Sequence, residues 1–296
     1  MNIEKIFVYG TGTMGRGIAQ AAAQNGFTAI FCNDIFPEEV QKNIDMIKDG
    51  LDKRVIKGKM TSGEANGIIN KIIPSTTIED VKEADFVIET IIENVEIKQN
   101  AFLKIEENTK PGVVLASNTT SCSITEIAAK IKNPDRIIGF HFFNPAHIMK
   151  LVEIMPSLYT SDAVLETAVS VAKRLNKKPI VTKREAPAGV TSRVLAGLLN
   201  EAVWVLHEGV ATVDDIDNAM ILGCNHKLGP LQLIDLIGVD IHLAKTKMLY
   251  TKTGDARYRP CYLLEQMVSA GYLGKKSGKG FYDYTGESSV PMSFFK

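Results

Sequence analysis

The stretch Lys5-Ile6-Phe7-Val8-Tyr9 runs without a spacer into Gly10-Thr11-Gly12-Thr13-Met14-Gly15 and then into a helical run from Arg16 to Gln24. Alone the glycine pattern would be weak, and its setting is what restricts the fold. An apolar strand followed by Gly-x-Gly-x-x-Gly and a helix predicts one strand–turn–helix unit. In such a unit Gly10 permits the tight turn, Gly12 lets a pyrophosphate approach the backbone, and Gly15 lets helix and strand pack closely. The helix N-terminus adds unpaired N–H donors and a partial positive charge, so an anion is met without a basic side chain. Thr11, Thr13 and Met14 lie within the turn and are candidate contacts with it. Asn25-Gly26 ends the helix and Phe27 to Cys32 reads as a second strand. Asp34 stands at the end of that strand, 19 positions after Gly15, close to the distance of about 20 expected of the acid that holds an adenosine ribose. The ligand such a unit takes is a dinucleotide. An acid at this point repels a 2′-phosphate and no arginine follows at once, which favours NAD over NADP without shutting the second out.

Strands and helices then alternate. Pro37 opens a helix that carries Lys42, Lys48, Lys53, Arg54, Lys57 and Lys59, a run that is either a solvated face or a meeting place for ligand phosphates. A short helix is expected over 62–70 and a strand over 84–89. In an open α/β sheet ligands sit at the carboxyl ends of strands, so Glu93 and Lys98, just beyond, are either nicotinamide-side residues or surface residues. The strand 113–116 leads into Ser117-Asn118-Thr119-Thr120-Ser121, which either caps the helix over 124–131 or holds a substrate oxygen. Strands over 136–142 and 151–154 carry His141 and Glu153, twelve positions apart. Taken alone, these are a core histidine and a strand-end acid, or else a dyad. In the dyad the carboxylate accepts the Nδ1 proton and leaves Nε2 free to take a proton from an alcohol. A helix over 163–175 and a strand over 179–182 complete the alternating unit.

Near Ala186-Pro187-Ala188-Gly189 the pattern becomes purely helical, with helices expected over 190–207, 214–222, 231–237, 241–250 and 262–270. The fold class is therefore an α/β Rossmann-type N-terminal domain, residues 1–185, with an all-α C-terminal domain, residues 186–296. Helices with much apolar surface and no sheet to cover point to a partner subunit. Thirty-four Lys+Arg against 34 Asp+Glu leave a formal net charge of +0, which excludes recruitment of nucleic acid or anionic membrane by a global field. The four cysteines have neither Cys-x-x-Cys nor metal-ligand spacing, and no signal peptide or bilayer-length apolar run is present, so a reduced, metal-free, cytoplasmic protein is expected. His147, His207, His226 and His242 have no partner by spacing and are expected to be structural or exposed.

Taken together, the Gly10/Gly12/Gly15 turn, Ser117-Asn118-Thr119, His141-Phe142-Phe143-Asn144-Pro145 and Met149-Lys150-Leu151-Val152-Glu153 resemble the L-3-hydroxyacyl-CoA dehydrogenases. Asp215-Ile216-Asp217, Leu228-Gly229-Pro230 and the segment from Gly274 to Tyr282 carry the same likeness to the end of the chain. The short bacterial 3-hydroxybutyryl-CoA dehydrogenases are the most similar branch. The resemblance implies a catalytic base at His141, an orienting acid at Glu153 and a helical domain that closes the cleft and dimerises. It implies cofactor contacts at Glu93, Lys98, Asn118, Thr120, Asn144 and Lys276, and a place for coenzyme A on the helix after Asp34, with Lys53 and Lys57 as candidates.

Two positions depart from the family. Thr120 stands 21 positions before His141, where a serine is usual; it keeps the hydroxyl but adds a methyl and restricts χ1. Ser192 stands where an asparagine is usual and donates one hydrogen bond over a shorter reach. The activity implied is NAD-dependent interconversion of a 3-hydroxyacyl-CoA and a 3-ketoacyl-CoA, with His141, Glu153, Thr120 and Ser192 at the reacting centre. Its rivals are a hydroxyacid or sugar-acid dehydrogenase of the same fold, such as the lens crystallin-like and gulonate enzymes, and a catalytically quiet NAD-binding protein.

Overall fold

The computed structural model describes residues 3–294. It divides into two compact units, one ending at Gly189 and the other beginning at Val190. The expected boundary fell four residues earlier. Residues 186–189 stay with the first unit because the Ala188 amide donates to the Thr120 carbonyl and Gly189 packs against the Glu153 carboxylate.

The first unit is built on an eight-stranded sheet. Its strands are β1 (Lys5–Tyr9), β2 (Ala29–Asn33), β3 (Ile72–Pro74), β4 (Phe86–Glu89), β5 (Val114–Ser117), β6 (Ile137–Phe142), β7 (Leu151–Pro156) and β8 (Lys178–Val181), in the spatial order β3-β2-β1-β4-β5-β6-β7-β8. Neighbouring strands are parallel except at the β6–β7 pair, so β7 and β8 run against the other six. The helices are α1 (Thr13–Gln24), α2 (Pro37–Ile56), α3 (Ser62–Ile69), α4 (Val95–Asn108), α5 (Ile124–Ala128) and α6 (Asp162–Arg174).

Alternate residues of each strand enter different cores. Ile6, Val8, Phe86, Ile88, Ala116 and Phe140 pack on one side, and Phe7, Tyr9, Val87, Leu115 and Ile137 on the other. Both faces are therefore covered, as the near-continuous apolar strands require. The chain leaves β1 toward β2 and β3, then returns to place β4 on the other flank of β1, which creates a crevice at the carboxyl ends of β1 and β4. The turn after β1, Asp34 after β2, Glu89 on β4, Ser117 on β5 and His141 on β6 all lie along that edge. Helix α2 stops at Ile56, and Gly58 takes φ +65° just beyond it. Lys57 and Lys59 therefore lie past the helix on which they were expected.

The second unit contains α7 (Thr191–His207), α8 (Val213–Cys224), α9 (Pro230–Ile237), α10 (Val239–Thr253) and α11 (Tyr262–Ser269), and also pairs β9 (Tyr282–Asp283) with β10 (Val290–Pro291). That small hairpin, with isolated bridges of Lys279 to Gly274 and Asp283, departs from an all-helical domain. Two buried carboxylates tie it to the helices. Asp235 accepts from the Phe281 and Tyr282 amides at 2.9 Å each and from the Tyr284 hydroxyl at 3.1 Å. Asp217 accepts from the Leu231 and Gln232 amides and from the Tyr282 hydroxyl. A Cβ at Gly229 would stand 2.1 Å from Asp217 and one at Gly280 1.9 Å from Asp235. Both glycines are there so that backbone can wrap a carboxylate.

Candidate active site

Register decides whether His141 and Glu153 meet. In the antiparallel β6–β7 pair His141 stands directly opposite Glu153, so both side chains leave the same face of the sheet. His141 Nδ1 lies 3.3 Å from Glu153 Oε2. Glu153 is wholly buried, and His141 is nearly so. An ionised carboxylate facing the ring can only accept, which places the proton on Nδ1 and makes Nε2 an acceptor. The Thr120 hydroxyl stands 3.0 Å from Nε2. The residues thus form an ordered line of carboxylate, imidazole and hydroxyl at the end of the sheet.

The glycine turn has the space a dinucleotide needs. Gly10 takes φ +95° and Gly12 faces open space, while a Cβ at Gly15 would stand 1.8 Å from the Gly10 carbonyl. Thr90, a residue the sequence did not single out, donates to that carbonyl at 2.7 Å and holds the turn. Asp34 accepts from the Thr11 amide at 2.7 Å and from its hydroxyl at 3.2 Å. Thr13 opens α1, is exposed, and has Met14 beside it. Next to the turn a cavity of about 400 Å³ is lined by Gly10, Asp34, Ile35, Phe36, Ile91 and Ile97. Ile35 and Phe36 are 66% and 56% exposed, an apolar wall left open for a flat, partly apolar ring above an acid. That donor set suits an adenosine: apolar faces for the base, a carboxylate for ribose hydroxyls, and N–H groups for pyrophosphate.

Residues 5–186 match the 3-hydroxyacyl-CoA dehydrogenase NAD binding domain, and residues 190–284 match the 3-hydroxyacyl-CoA dehydrogenase C-terminal domain. The chain belongs to the 3-hydroxyacyl-CoA dehydrogenase family. It is 43% identical to a probable 3-hydroxybutyryl-CoA dehydrogenase of Bacillus subtilis, over 98% of this chain and 100% of that protein. With a 3-hydroxybutyryl-CoA dehydrogenase of Clostridioides difficile it shares 41% identity, over 95% and 99%. The crystal structure of (S)-3-hydroxybutyryl-CoA dehydrogenase from Ralstonia eutropha superposes with a TM-score of 0.92 at 42% identity, covering 96% of this chain and 100% of that one. As a 3-hydroxyacyl-CoA dehydrogenase family member, the chain is an NAD-dependent oxidoreductase whose substrates are acyl-CoA thioesters.

Other expected site residues of this dehydrogenase are placed as follows. Asn118 uses its side-chain oxygen to accept from the Phe142 amide at 2.8 Å, tying the ends of β5 and β6 together. Asn144 is exposed in the loop after β6. Lys98 is not the surface residue that was one alternative. Its ammonium is wholly buried, donates to Glu89 Oε1 at 2.7 Å and stands 3.5 Å from Glu93 Oε2. Glu93 faces inward to the loop after β5, accepting from Thr119, Thr120 and Ser121. In the second unit Lys276 pairs with Asp240 at 2.6 Å, and Ser192 lies in the first turn of α7. Lys53 and Lys57 are exposed.

A second cavity, about 590 Å³, is lined not by either lysine but by Arg16, Arg54, His147, Gln20 and Met46. Burial first, then the charges of Lys177, Arg54 and Arg16, push the His147 imidazole below its ordinary value. His147 thus faces a cationic cavity, which spacing did not reveal. Sequence reasoning also missed Glu185. Its carboxylate accepts from the Ile124 and Thr125 amides and caps α5 from 60 residues away. Among the described residues no three His, Cys, Asp or Glu side chains gather as a metal site, and no helix is long and apolar enough to cross a membrane.

Proposed function

We propose that this protein interconverts (S)-3-hydroxybutyryl-CoA and acetoacetyl-CoA with NAD, and that His141 carries the proton. The supporting observation is the line Glu153–His141–Thr120, with Nδ1 turned to a buried carboxylate and Nε2 to a hydroxyl. Held at the glycine turn and Asp34, NAD would supply the hydride acceptor for oxidation and, in its reduced form, the hydride donor for reduction. His141 Nε2 takes the proton from the substrate hydroxyl in oxidation and gives it back to the carbonyl oxygen in reduction. Glu153 stabilises the imidazolium formed between those events. Thr120, its hydroxyl rotated off Nε2, donates to the same substrate oxygen. Asp34 and the glycine turn bind the adenosine and pyrophosphate. The thioester's nucleotide phosphates meet the cationic wall of Arg16 and Arg54, with His147 as a neutral hydrogen-bonding neighbour, and exposed Lys53 and Lys57 remain candidates on the resemblance alone. The roles expected of Ser192, Asn144 and Lys276 rest on the resemblance alone. Exposed Val194, Leu222, Leu236 and Tyr262 on the second unit support a homodimer formed through it. The free cysteines suit the cytoplasm.

The deciding experiment measures NADH oxidation over a C4 to C10 series of 3-ketoacyl-CoAs, with free acetoacetate alongside and with NADPH as alternative cofactor. The expected result is highest kcat/KM for acetoacetyl-CoA with NADH, and none for free acetoacetate. His141→Ala is expected to bind NADH as before and lose turnover by about 10³-fold or more. An active His141→Ala protein removes this residue from the mechanism.

A further inference from the structure

The Thr120 hydroxyl reaches Nε2 only if the loop after β5 holds one shape, and that loop is gathered on a single carboxylate oxygen. Glu93 Oε1 accepts from the Thr119 hydroxyl at 2.7 Å, the Thr120 amide at 2.8 Å, the Ser121 amide at 2.6 Å and the Ser121 hydroxyl at 2.9 Å. The other oxygen, Oε2, faces the Lys98 ammonium at 3.5 Å. Lys98 is itself held by Glu89, whose Oε1 also accepts from the Ile91 amide at 2.7 Å and whose Oε2 accepts from Ser117 at 2.6 Å. Glu89 and Lys98 are both wholly buried. The Glu89 carboxyl is pushed upward by burial, against the pull of Lys98, Ser117 and the Ile91 amide, which all donate to it. Burial also raises Glu93, but the Thr119 hydroxyl, the Lys98 charge and the loop amides outweigh it, and its carboxyl lies below the ordinary value. The carboxylate form of the loop's anchor is thus favoured by its own donors.

We infer that Glu93, fixed from behind by Lys98 and Glu89, is a positioning residue: it shapes the Thr119–Ser121 loop so that the Thr120 hydroxyl meets His141 Nε2. The inference rests on the reading of His141 as proton carrier. It gives Glu93 and Lys98 work on the proton side beside the cofactor contacts the resemblance implies for them. The donors gather on Oε1 alone, and a shift of the loop by a fraction of an ångström alters a hydrogen bond at the reacting centre.

The test is a double-mutant cycle of Glu93→Gln and Thr120→Val, with kcat on acetoacetyl-CoA and NADH dissociation measured for each protein. Glu93→Gln alone is expected to lower kcat about tenfold with NADH affinity within about twofold of the parent. In the Thr120→Val background the same change is expected to cost less than about twofold, because the hydroxyl it serves is gone. If Glu93→Gln melts early, Thr119→Val replaces it, removing one donor while leaving the ion pair intact, with about a threefold loss that likewise vanishes in the Thr120→Val background. Multiplicative losses in the cycle, or weakened NADH binding with kcat retained, overturn the inference. The ¹⁵N resonance of His141 Nε2 in the protein without substrate gives an independent readout. It is expected to shift in Glu93→Gln as it does in Thr120→Val, and no shift refutes the positioning role. Absence of parent turnover on acetoacetyl-CoA would instead sink the proposed substrate, and the resonance would still decide the role of Glu93.

Discussion

Gly189 gives the sharpest perturbation of the dyad. It takes φ +56°, and a Cβ built there would stand 2.2 Å from Glu153 Oε2, 3.3 Å from its Cδ and 3.4 Å from Met155 Sδ. Real Cβ contacts do not fall below 3.0 Å, so Gly189→Ala drives the carboxylate back by about 1 Å. Glu153 is wholly buried and has no solvent into which to swing. The Nδ1–Oε2 separation is already 3.3 Å, near the limit of a useful hydrogen bond, and such a displacement breaks it or leaves it misaligned. An orienting group misplaced by that distance costs on the order of 10²-fold in kcat. The left-handed backbone also costs an alanine about 1–2 kcal/mol, a melting shift of roughly 2–8 °C, so activity must be compared with a protein carrying the same strain elsewhere. Gly26 supplies it: φ is +85° and nothing lies within 4 Å of its added Cβ. In an assay of NADH absorbance with saturating acetoacetyl-CoA, Gly189→Ala is expected to fall about 10²-fold and Gly26→Ala to stay within about twofold while melting comparably early. A Gly189→Ala enzyme within about threefold of the parent, or equal losses in both variants, refutes the reasoning that Glu153 must sit where it does.

Three further outcomes are expected. Asp34→Asn removes the charge that repels a 2′-phosphate while keeping an acceptor for Thr11, so the NADH-over-NADPH ratio of kcat/KM is expected to fall about tenfold; an unchanged ratio places cofactor choice elsewhere. Arg16→Glu or Arg54→Glu reverses one charge in the cavity that both line and is expected to raise KM for acetoacetyl-CoA about tenfold with KM for NADH unmoved. Equal effects on both KM values mean the cavity does not serve the thioester. His242 on α10 is buried, and burial first, then Lys245, lowers it to about 4, while its Nε2 finds no partner among the described residues. An unfolded histidine takes its proton near 6.5. The unfolded state therefore binds more protons between those values, and stability that is full above about 6.5 is lost as the pH falls toward about 4, to the extent of about 3 kcal/mol. Urea unfolding at pH 7 and pH 4.5 is expected to show a smaller loss in His242→Leu than in the parent, and parallel losses exclude the histidine as a source.

What the sequence revealed and what it withheld follow one physical rule. The strand, glycine turn, helix and terminal acid around residues 5–34 were legible because each carries a constraint in its own side chain or in the lack of one. The line of His141 and Glu153 was legible for the same reason, since both partners are side chains on strands of recognisable pattern. The antiparallel run of β7 was not, because strand direction lies in the connection and not in the residues. The three-residue β3 was missed as well, being too short to show a period. Least visible were carboxylates whose partners are backbone amides. Glu93 and Glu185 reach N–H groups that every residue but proline possesses, so no residue type at the receiving end betrays them.

The same rule changes what the family motifs of the second unit mean. Asp217, Gly229 and Gly280 helped carry the resemblance, yet their geometry is structural. Asp217 caps the start of α9, and the glycines clear space for Asp217 and Asp235. Burial foremost holds the Asp235 carboxyl up at about 6, against the pull of three donors and with a smaller push from Asp217. Such a group destabilises the ionised fold and persists because its partners are backbone N–H groups that would otherwise be buried unpaired. A motif can therefore identify a family through its packing while the proposed chemistry lies elsewhere, at the carboxyl edge of the sheet where a buried acid, an imidazole and a hydroxyl stand in line.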